Sequence, residues 1–238
     1  MNIWDGIYRT FAEASGVRDA FAEDGTWLEK AVKRTTEGRS SQHENFDVIL
    51  PVVAALTNRP RILDFGGAIG TGFLPIIASG TARNDIEFHV VEVAALVEAG
   101  RRIFADDPRI HFHTDIPAGT FDIVHAGSSL QYVDDWTGML RTFAARHPKI
   151  LLFSDVPAGD IETFVTIQNY HGRQIPMRFW NVDEFVRAVE SLGFALVYRA
   201  RYVPNILGKR GPNPMDNFPP SHRLEYPCHL MFRSTRKD

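Results

Sequence analysis

The stretch Arg61-Ile62-Leu63-Asp64-Phe65-Gly66-Gly67-Ala68-Ile69-Gly70-Thr71-Gly72 decides the fold: an apolar strand runs into an acid and then into a glycine-rich turn before a helix. Glycines let a backbone take positive φ and approach a ligand closely, and the helix start that follows presents free N–H groups to anionic ligand atoms. Outward from this turn, short apolar runs alternate with helical segments, the pattern of βαβ units and a parallel sheet. The spacing predicts strands at 61–64, 87–92, 109–113, 121–126 and 149–154, with helices at 72–79, 94–105 and 135–147 between them. A loop of about 25 residues is expected next, a length that in a compact domain is often functional. A helix over 182–192 follows, opened by Asn181 with Glu184 three residues on as a capping box. Strands at 194–202 and 227–233 close the chain, joined by the Gly- and Pro-dense segment Gly208 to Pro220. The fold class is therefore α/β, a mostly parallel seven-stranded sheet ending in an antiparallel C-terminal strand pair.

The first sixty residues read as helices. Thr26-Trp27-Leu28-Glu29 fits a capping box opening a helix to about Thr36, and Phe46, Ile49, Leu50 and Val53 recur at helical spacing, with Pro51 starting or kinking that second helix. The aromatic start, with Trp4, Tyr8, Phe11, Phe21 and Trp27, reads as a helical cover over the sheet and a lid on its ligand. The expected division is an N-terminal helical extension over 1–58 and a ligand-binding domain over 59–238.

Composition agrees with an enzyme-sized globular body. The 238 residues are 44 % hydrophobic and 23 % charged, and a chain of this length buries roughly 70–75 % of its unfolded surface. A net charge of −3 excludes a strongly basic nucleic-acid binder, although residues 199–238 carry 8 Lys and Arg against 3 Asp and Glu. That segment reads as a solvated surface, or as a preference for an anionic acceptor if it borders a site. The single cysteine, Cys228, forbids an internal disulfide and a thiolate zinc cluster. With the polar start Met1-Asn2-Ile3-Trp4-Asp5 it points to a reducing cytoplasm, and no apolar run reaches the ~20 residues that span a bilayer. Neither a membrane nor a nucleic acid is expected as partner.

Spacing narrows the ligand. Gly67 to Gly72 is followed by Phe73-Leu74 and lacks the lysine of a phosphate-binding loop, which disfavours nucleoside triphosphates. The dinucleotide fingerprint begun at Gly70-Thr71-Gly72 meets Pro75 where glycine or alanine is needed, so a nicotinamide cofactor is a distant reading. The form that fits is Asp64-x-Gly66-x-x-x-Gly70, with Glu92 ending the next strand 22 residues after Gly70, where a carboxylate can accept both ribose hydroxyls of a nucleoside cofactor.

This combination resembles the first motifs of class I S-adenosylmethionine-dependent methyltransferases. The resemblance implies a Rossmann-like fold, S-adenosylmethionine as cofactor and S-adenosylhomocysteine as product, with Asp64, Gly66, Gly67, Gly70 and Glu92 holding the cofactor. It further implies Asp115, past the third of those strands, against the adenine amino group. Gly127 and Ser128, in the run Phe121 to Tyr132, are placed near the cofactor's methionine part. Ala68 departs from the pattern, since many members carry glycine there. Over nearly the whole chain, Trp4-x-Gly6-x-Tyr8, Asp64-Phe65-Gly66-Gly67, Val91-Glu92-Val93, Ser128-Ser129-Leu130-Gln131-Tyr132 and Gln168 to Asn181 are similar to a family of bacterial methyltransferases of unassigned acceptor. Members of that family are associated with surface-polysaccharide pathways. The expected acceptor is thus a small molecule, with saccharides and nucleotide sugars first among them.

Methyl transfer from a sulfonium is an in-line displacement with a neutral leaving group, so alignment is the main requirement; a hydroxyl acceptor also needs a base. His171, in the long loop with Gln168, Asn169, Tyr170 and Arg173, and His125, on a buried strand, are the candidate bases. Tyr132, Gln131 and Gln168 are candidate acceptor-pocket residues. The Asn-Pro-Pro-Tyr type motif of amino-group methyltransferases is absent, because Gly127-Ser128-Ser129-Leu130 stands in its place. His111-x-His113 puts two imidazoles on one strand face without an obvious third ligand, so no metal is expected. A ligand-binding or regulatory protein on a methyltransferase scaffold, without turnover, is the second reading.

Overall fold

The computed structural model describes residues 2–14, 16, 25–40, 49–55, 57–78, 86–170, 172–206 and 208–236. In chain order the elements are β1 (Trp4–Tyr8), α1 (Gly25–Ser40), α2 (Ile49–Ala55), β2 (Arg61–Phe65), α3 (Leu74–Ala78), β3 (Glu87–Val91), α4 (Ala94–Ile103), β4 (Ile110–His113) and β5 (Ile123–Gly127). Then come α5 (Trp136–Ala144), β6 (Ile150–Val156), β7 (Ala158–Gly159), β8 (Phe164–Tyr170), β9 (Arg173–Asn181), α6 (Val182–Glu190), β10 (Phe194–Arg201), β11 (Asn205–Ile206), β12 (Lys209–Arg210) and β13 (Cys228–Ser234). The chain folds into two compact units, one of residues 21–127 and 143–154, the other of residues 1–20, 128–142 and 155–238.

The seven-stranded sheet has the order β10-β13-β6-β5-β2-β3-β4. Its strands from β6 to β4 pair in parallel, and β10 with β13 antiparallel, as the sequence pattern requires. Central strands of a parallel sheet are covered on both faces and so read as near-continuous apolar runs. Ile62, Leu63, Phe88, Val90, Ile123 and Val124 accordingly lie in the core. Gly100 of α4 lets that helix close on β4, since a Cβ there would stand 2.2 Å from the Phe112 ring.

α1 packs Leu28, Ala31 and Val32 against Ile69, Leu96 and Ala99. The helix spans Gly25–Ser40, and the side chain of Thr26, on which the expected capping box rests, lies outside the described residues. Phe21 and Phe46 lie outside the described residues. The helical reading of the extreme N-terminus is corrected: Trp4–Tyr8 is a strand, paired antiparallel with β8. Its Trp4 is buried edge-on to Phe179, and its indole N–H donates to Met177 Sδ at 3.1 Å.

The long loop expected after β6 is likewise corrected. Residues 158–181 form β7, β8 and β9, which with β1 make a four-stranded sheet in the order β1-β8-β9-β7. The run Phe164-Val165-Thr166-Ile167 and the run Pro176-Met177-Arg178-Phe179-Trp180 carry strong β-formers. The polar stretch between them, which broke the apolar pattern, is the end of a hairpin. Phe164 and Phe179 stack across it at 5.1 Å. α6 starts as expected, with the Asn181 side chain accepting from Glu184 N at 3.1 Å. The reciprocal half of the capping box runs through Thr163, whose hydroxyl accepts from Asn181 N and donates to the Glu184 carboxylate. Among the described residues, no helix is long and apolar enough to cross a membrane.

Candidate functional site

The glycine turn leaves β2 at Phe65. Gly66 and Gly70 take φ of +68° and +86°, conformations that favour glycine, and Gly70 N closes on Gly67 O at 3.1 Å. Ala68 takes φ of +51°, so the alanine that departs from the methyltransferase pattern occupies a left-handed position. The turn is fitted tightly around Asp64. A Cβ on Gly67 would fall 2.4 Å, and one on Gly72 2.7 Å, from Asp64 Oδ2.

Glu92 follows β3, whose parallel register with β2 brings its end beside the turn. One carboxylate oxygen accepts from Ala68 N at 3.2 Å and the other from Val93 N at 2.9 Å. Burial raises the Glu92 pKa above the usual carboxylate range, with the charge of Asp64 adding to it; the two backbone N–H groups act in the opposite direction. Asp115 stands two residues past β4, exposed, accepting from the Thr114 hydroxyl at 3.1 Å.

Asp64 itself is buried, and the β2/β5 register sets it opposite His125. His125 Nδ1 donates to Asp64 Oδ1 at 2.7 Å, and His125 Nε2 lies 3.0 Å from the Ser154 hydroxyl. Relative exposures of 1 %, 7 % and 3 % for Asp64, His125 and Ser154 seal this relay inside the unit. Both ring nitrogens of His125 are thus hydrogen-bonded within the buried relay. Asp64 Oδ2, by contrast, is buried with no hydrogen-bond partner among the described residues. Gly127 ends β5 above the His125 ring, with its ideal Cβ 2.9 Å from Cε1.

In the other unit Ser128 takes φ of +49° and accepts from Gln131 Nε2 at 3.0 Å. Tyr132 donates to Gln168 Oε1 at 2.8 Å, so the structure brings together the loop after β5 and strand β8. Burial raises the Tyr132 pKa, the charges of Asp155 and Tyr170 raise it further, and hydrogen bonds with Gln131 and Gln168 lower it. His171 lies outside the described residues.

One residue escaped the sequence reading. Asp155, in the last turn of β6, takes φ of +50°, and its N–H meets His229 Nδ1 at 3.4 Å. A non-glycine residue held in this region costs of order 1–3 kcal/mol, and such residues cluster at functional sites. The available signal was an acid placed inside the apolar run Ile150 to Val156. Among the described residues no group of three or more His, Cys, Asp and Glu is placed to hold a metal ion. His111 and His113 do share a region with His89, which stacks on His113 and lies tilted against His111, with His89 Nδ1 3.0 Å from His113 Nε2.

Comparison with known proteins follows from this geometry. A methyltransferase domain family matches residues 38–199. No curated protein matches the chain. Among solved structures, the Haloferax volcanii methyltransferase in complex with the Trm112 methyltransferase activator covers 94 % of this chain and 99 % of its own, at 14 % identity and TM-score 0.57. Magnesium protoporphyrin IX methyltransferase from Synechocystis PCC 6803 with bound S-adenosylmethionine covers 91 % and 95 %, at 13 % identity and TM-score 0.57. The Burkholderia thailandensis 1,6-didemethyltoxoflavin-N1-methyltransferase covers 92 % and 87 %, at 16 % identity and TM-score 0.55. At these identities the likeness is one of fold.

Proposed function

Because the chain belongs to the S-adenosylmethionine-dependent methyltransferases, we propose that it methylates a small molecule, with the cofactor held at the glycine turn by Asp64, Gly66, Gly67, Gly70 and Glu92. The observation that carries this reading is the Glu92 carboxylate bound to the amide of Ala68: it puts an acid at a strand end against a turn stripped of side chains. The turn, with Gly66 and Gly70 at positive φ and no room for a Cβ at Gly67 or Gly72, presents bare backbone at the end of β2, which suits the close approach of a ligand. Glu92 would take the ribose hydroxyls, Asp115 the adenine edge, and Gly127 and Ser128 the amino-acid end. The packing of α1 on Ile69, beside Gly70, supports α1 as the part of the N-terminal extension that covers this site.

Bound S-adenosylmethionine supplies an activated methyl group whose thioether leaves uncharged, so the protein has to align an acceptor and, for a hydroxyl, remove one proton. The burial of His125 favours His171 and Asp155 over it as that base. Tyr132, Gln131 and Gln168 are proposed to shape the acceptor pocket. The acceptors that the matched structures name are ring compounds, a porphyrin and a toxoflavin precursor, and none of these structures favours a sugar.

Calorimetric titration with S-adenosylmethionine and S-adenosylhomocysteine tests the cofactor part. Micromolar binding that Glu92→Ala weakens is expected; absence of binding to folded protein would remove the proposed site. An acceptor screen should then begin with hydroxylated and nitrogenous ring compounds and include nucleotide sugars as the contrasting class.

A further inference from the structure

We propose that the outer edge of β10 is a docking surface for an acidic, extended segment of a partner protein, which joins the sheet there as a further strand. The inference goes beyond the cofactor reading and does not rest on it. β10 ends the seven-stranded sheet and pairs, among the described residues, with β13 alone. The outer N–H and C=O groups of such a strand are a template for another chain, and proteins commonly blunt them with charges or a bulge. Leu196 pairs with Phe232 and Tyr198 with Met231, so Val197 is the extra residue of a bulge. Beyond it, Tyr198, Arg199, Ala200 and Arg201 run in unbroken register with Met231, Leu230, His229 and Cys228. A short, regular edge remains for a visiting strand.

The side chains on this edge select the occupant. Val197 and Tyr198 are 51 % and 43 % exposed, and among the described residues no other two large hydrophobics that adjoin in sequence are both exposed. Arg199 and Arg201 follow, exposed and, at a spacing of two, on one face. Neither forms an ion pair among the described residues; the Arg201 guanidinium lies 4.6 Å over the Tyr226 ring, which holds it without neutralising it. The β11–β12 hairpin that follows, closed by Gly211 N on Pro204 O at 3.2 Å, adds exposed Lys209 and Arg210. Residues 199–210 thus hold four cations and no acid in a chain of net charge −3. A second copy of β10 is a poor occupant, because it would bring its own arginines to the same edge. A segment with acids at alternate positions sets its carboxylates beside Arg199 and Arg201 and its apolar residues beside Tyr198. Unneutralised arginines are also what a merely protected edge shows, so backbone pairing is the feature to test.

The probe is a short fluorescein-labelled peptide alternating valine and glutamate, titrated against the full chain by fluorescence anisotropy at low salt. Two companions carry lysine in place of glutamate, or the same side chains on a fully N-methylated backbone. The glutamate peptide is expected to bind saturably and the lysine peptide not at all. N-methylation, which removes several strand hydrogen bonds, should weaken binding by more than about tenfold. Arg199→Glu combined with Arg201→Glu should weaken it by about tenfold or more, the scale of two exposed ion pairs. Arg102→Glu, at an exposed position on α4, should leave it unchanged. Both arginines of β10 are exposed, and an unaltered Tm confirms that the double variant folds. Failure of the glutamate peptide to bind would overturn the inference, as would binding indifferent to the double reversal. Equal binding of the N-methylated peptide would reduce the edge to a charged patch and overturn it too. So would an oligothymidylate that binds where the peptide does not, or a dimer of the wild type that the double reversal abolishes.

Discussion

Two neighbouring small residues of the glycine turn are expected to respond in opposite ways. Gly67→Ala drives a Cβ to 2.4 Å from the Asp64 carboxylate, which is itself pinned by His125 and cannot swing away. Overpacking of this kind costs about 1–3 kcal/mol, so both a lower Tm and weaker cofactor binding are expected. Ala68→Gly does the reverse for stability. Left-handed backbone costs a non-glycine residue roughly 1–2 kcal/mol, and the added freedom of the unfolded glycine returns about 0.4–1 kcal/mol of that, leaving a net gain of about 0.5–1 kcal/mol by denaturant unfolding. The two residues also mark what the sequence disclosed. Asp64, the glycines and Glu92 stood in readable spacing because one turn and one strand length connect them. The His125 partnership did not, because Asp64 and His125 are 61 positions apart and only strand register makes them neighbours. Asp155 is a similar case: its strain is a property of backbone angles that no residue pattern prints.

At the level of elements, the β3/β4 pair contains a titration test. Register sets His89 opposite His111, and His89 Nδ1 meets His113 Nε2 at 3.0 Å. Burial depresses the His89 pKa from its ordinary 6.5 to about 4, against the hydrogen bond to Glu87 and with the charges of His111, Arg61 and His113 lowering it further. A depressed histidine binds fewer protons folded than unfolded, so its contribution is fully present above pH 6.5 and is lost as pH falls toward 4. His113 is shifted the same way, chiefly by burial. Thermal unfolding followed across that window should show a fall in Tm that His89→Phe makes shallower; an unchanged slope would remove His89 from the account. Elements with one clear period, such as β2, β5, α4 and α6, were legible in advance. The β8–β9 hairpin was not, because its polar end interrupts the apolar alternation, and β1 was not, because its five residues acquire a period only when paired with β8.

For the whole molecule, the N-terminal segment is a structural member of its unit, joined to a sheet whose other strands lie more than 150 residues away. Trp4→Ala removes an indole that is packed on Phe179 and hydrogen-bonded to Met177, and a loss of about 3–5 kcal/mol by denaturant unfolding is expected. A variant of unchanged stability would show the strand to be an ornament. The pairing of Trp4 with Gln168 also bears on birth order at the ribosome. β1 must wait until β8 has been translated and has left the exit tunnel, whereas the strands β2 to β5 find one another within one continuous stretch. Long-range closures of that sort are slow, and an unpaired strand left waiting is open to wrong company. The nascent chain is thus expected to become protease-resistant over β2 to β5 well before Trp4–Tyr8 does.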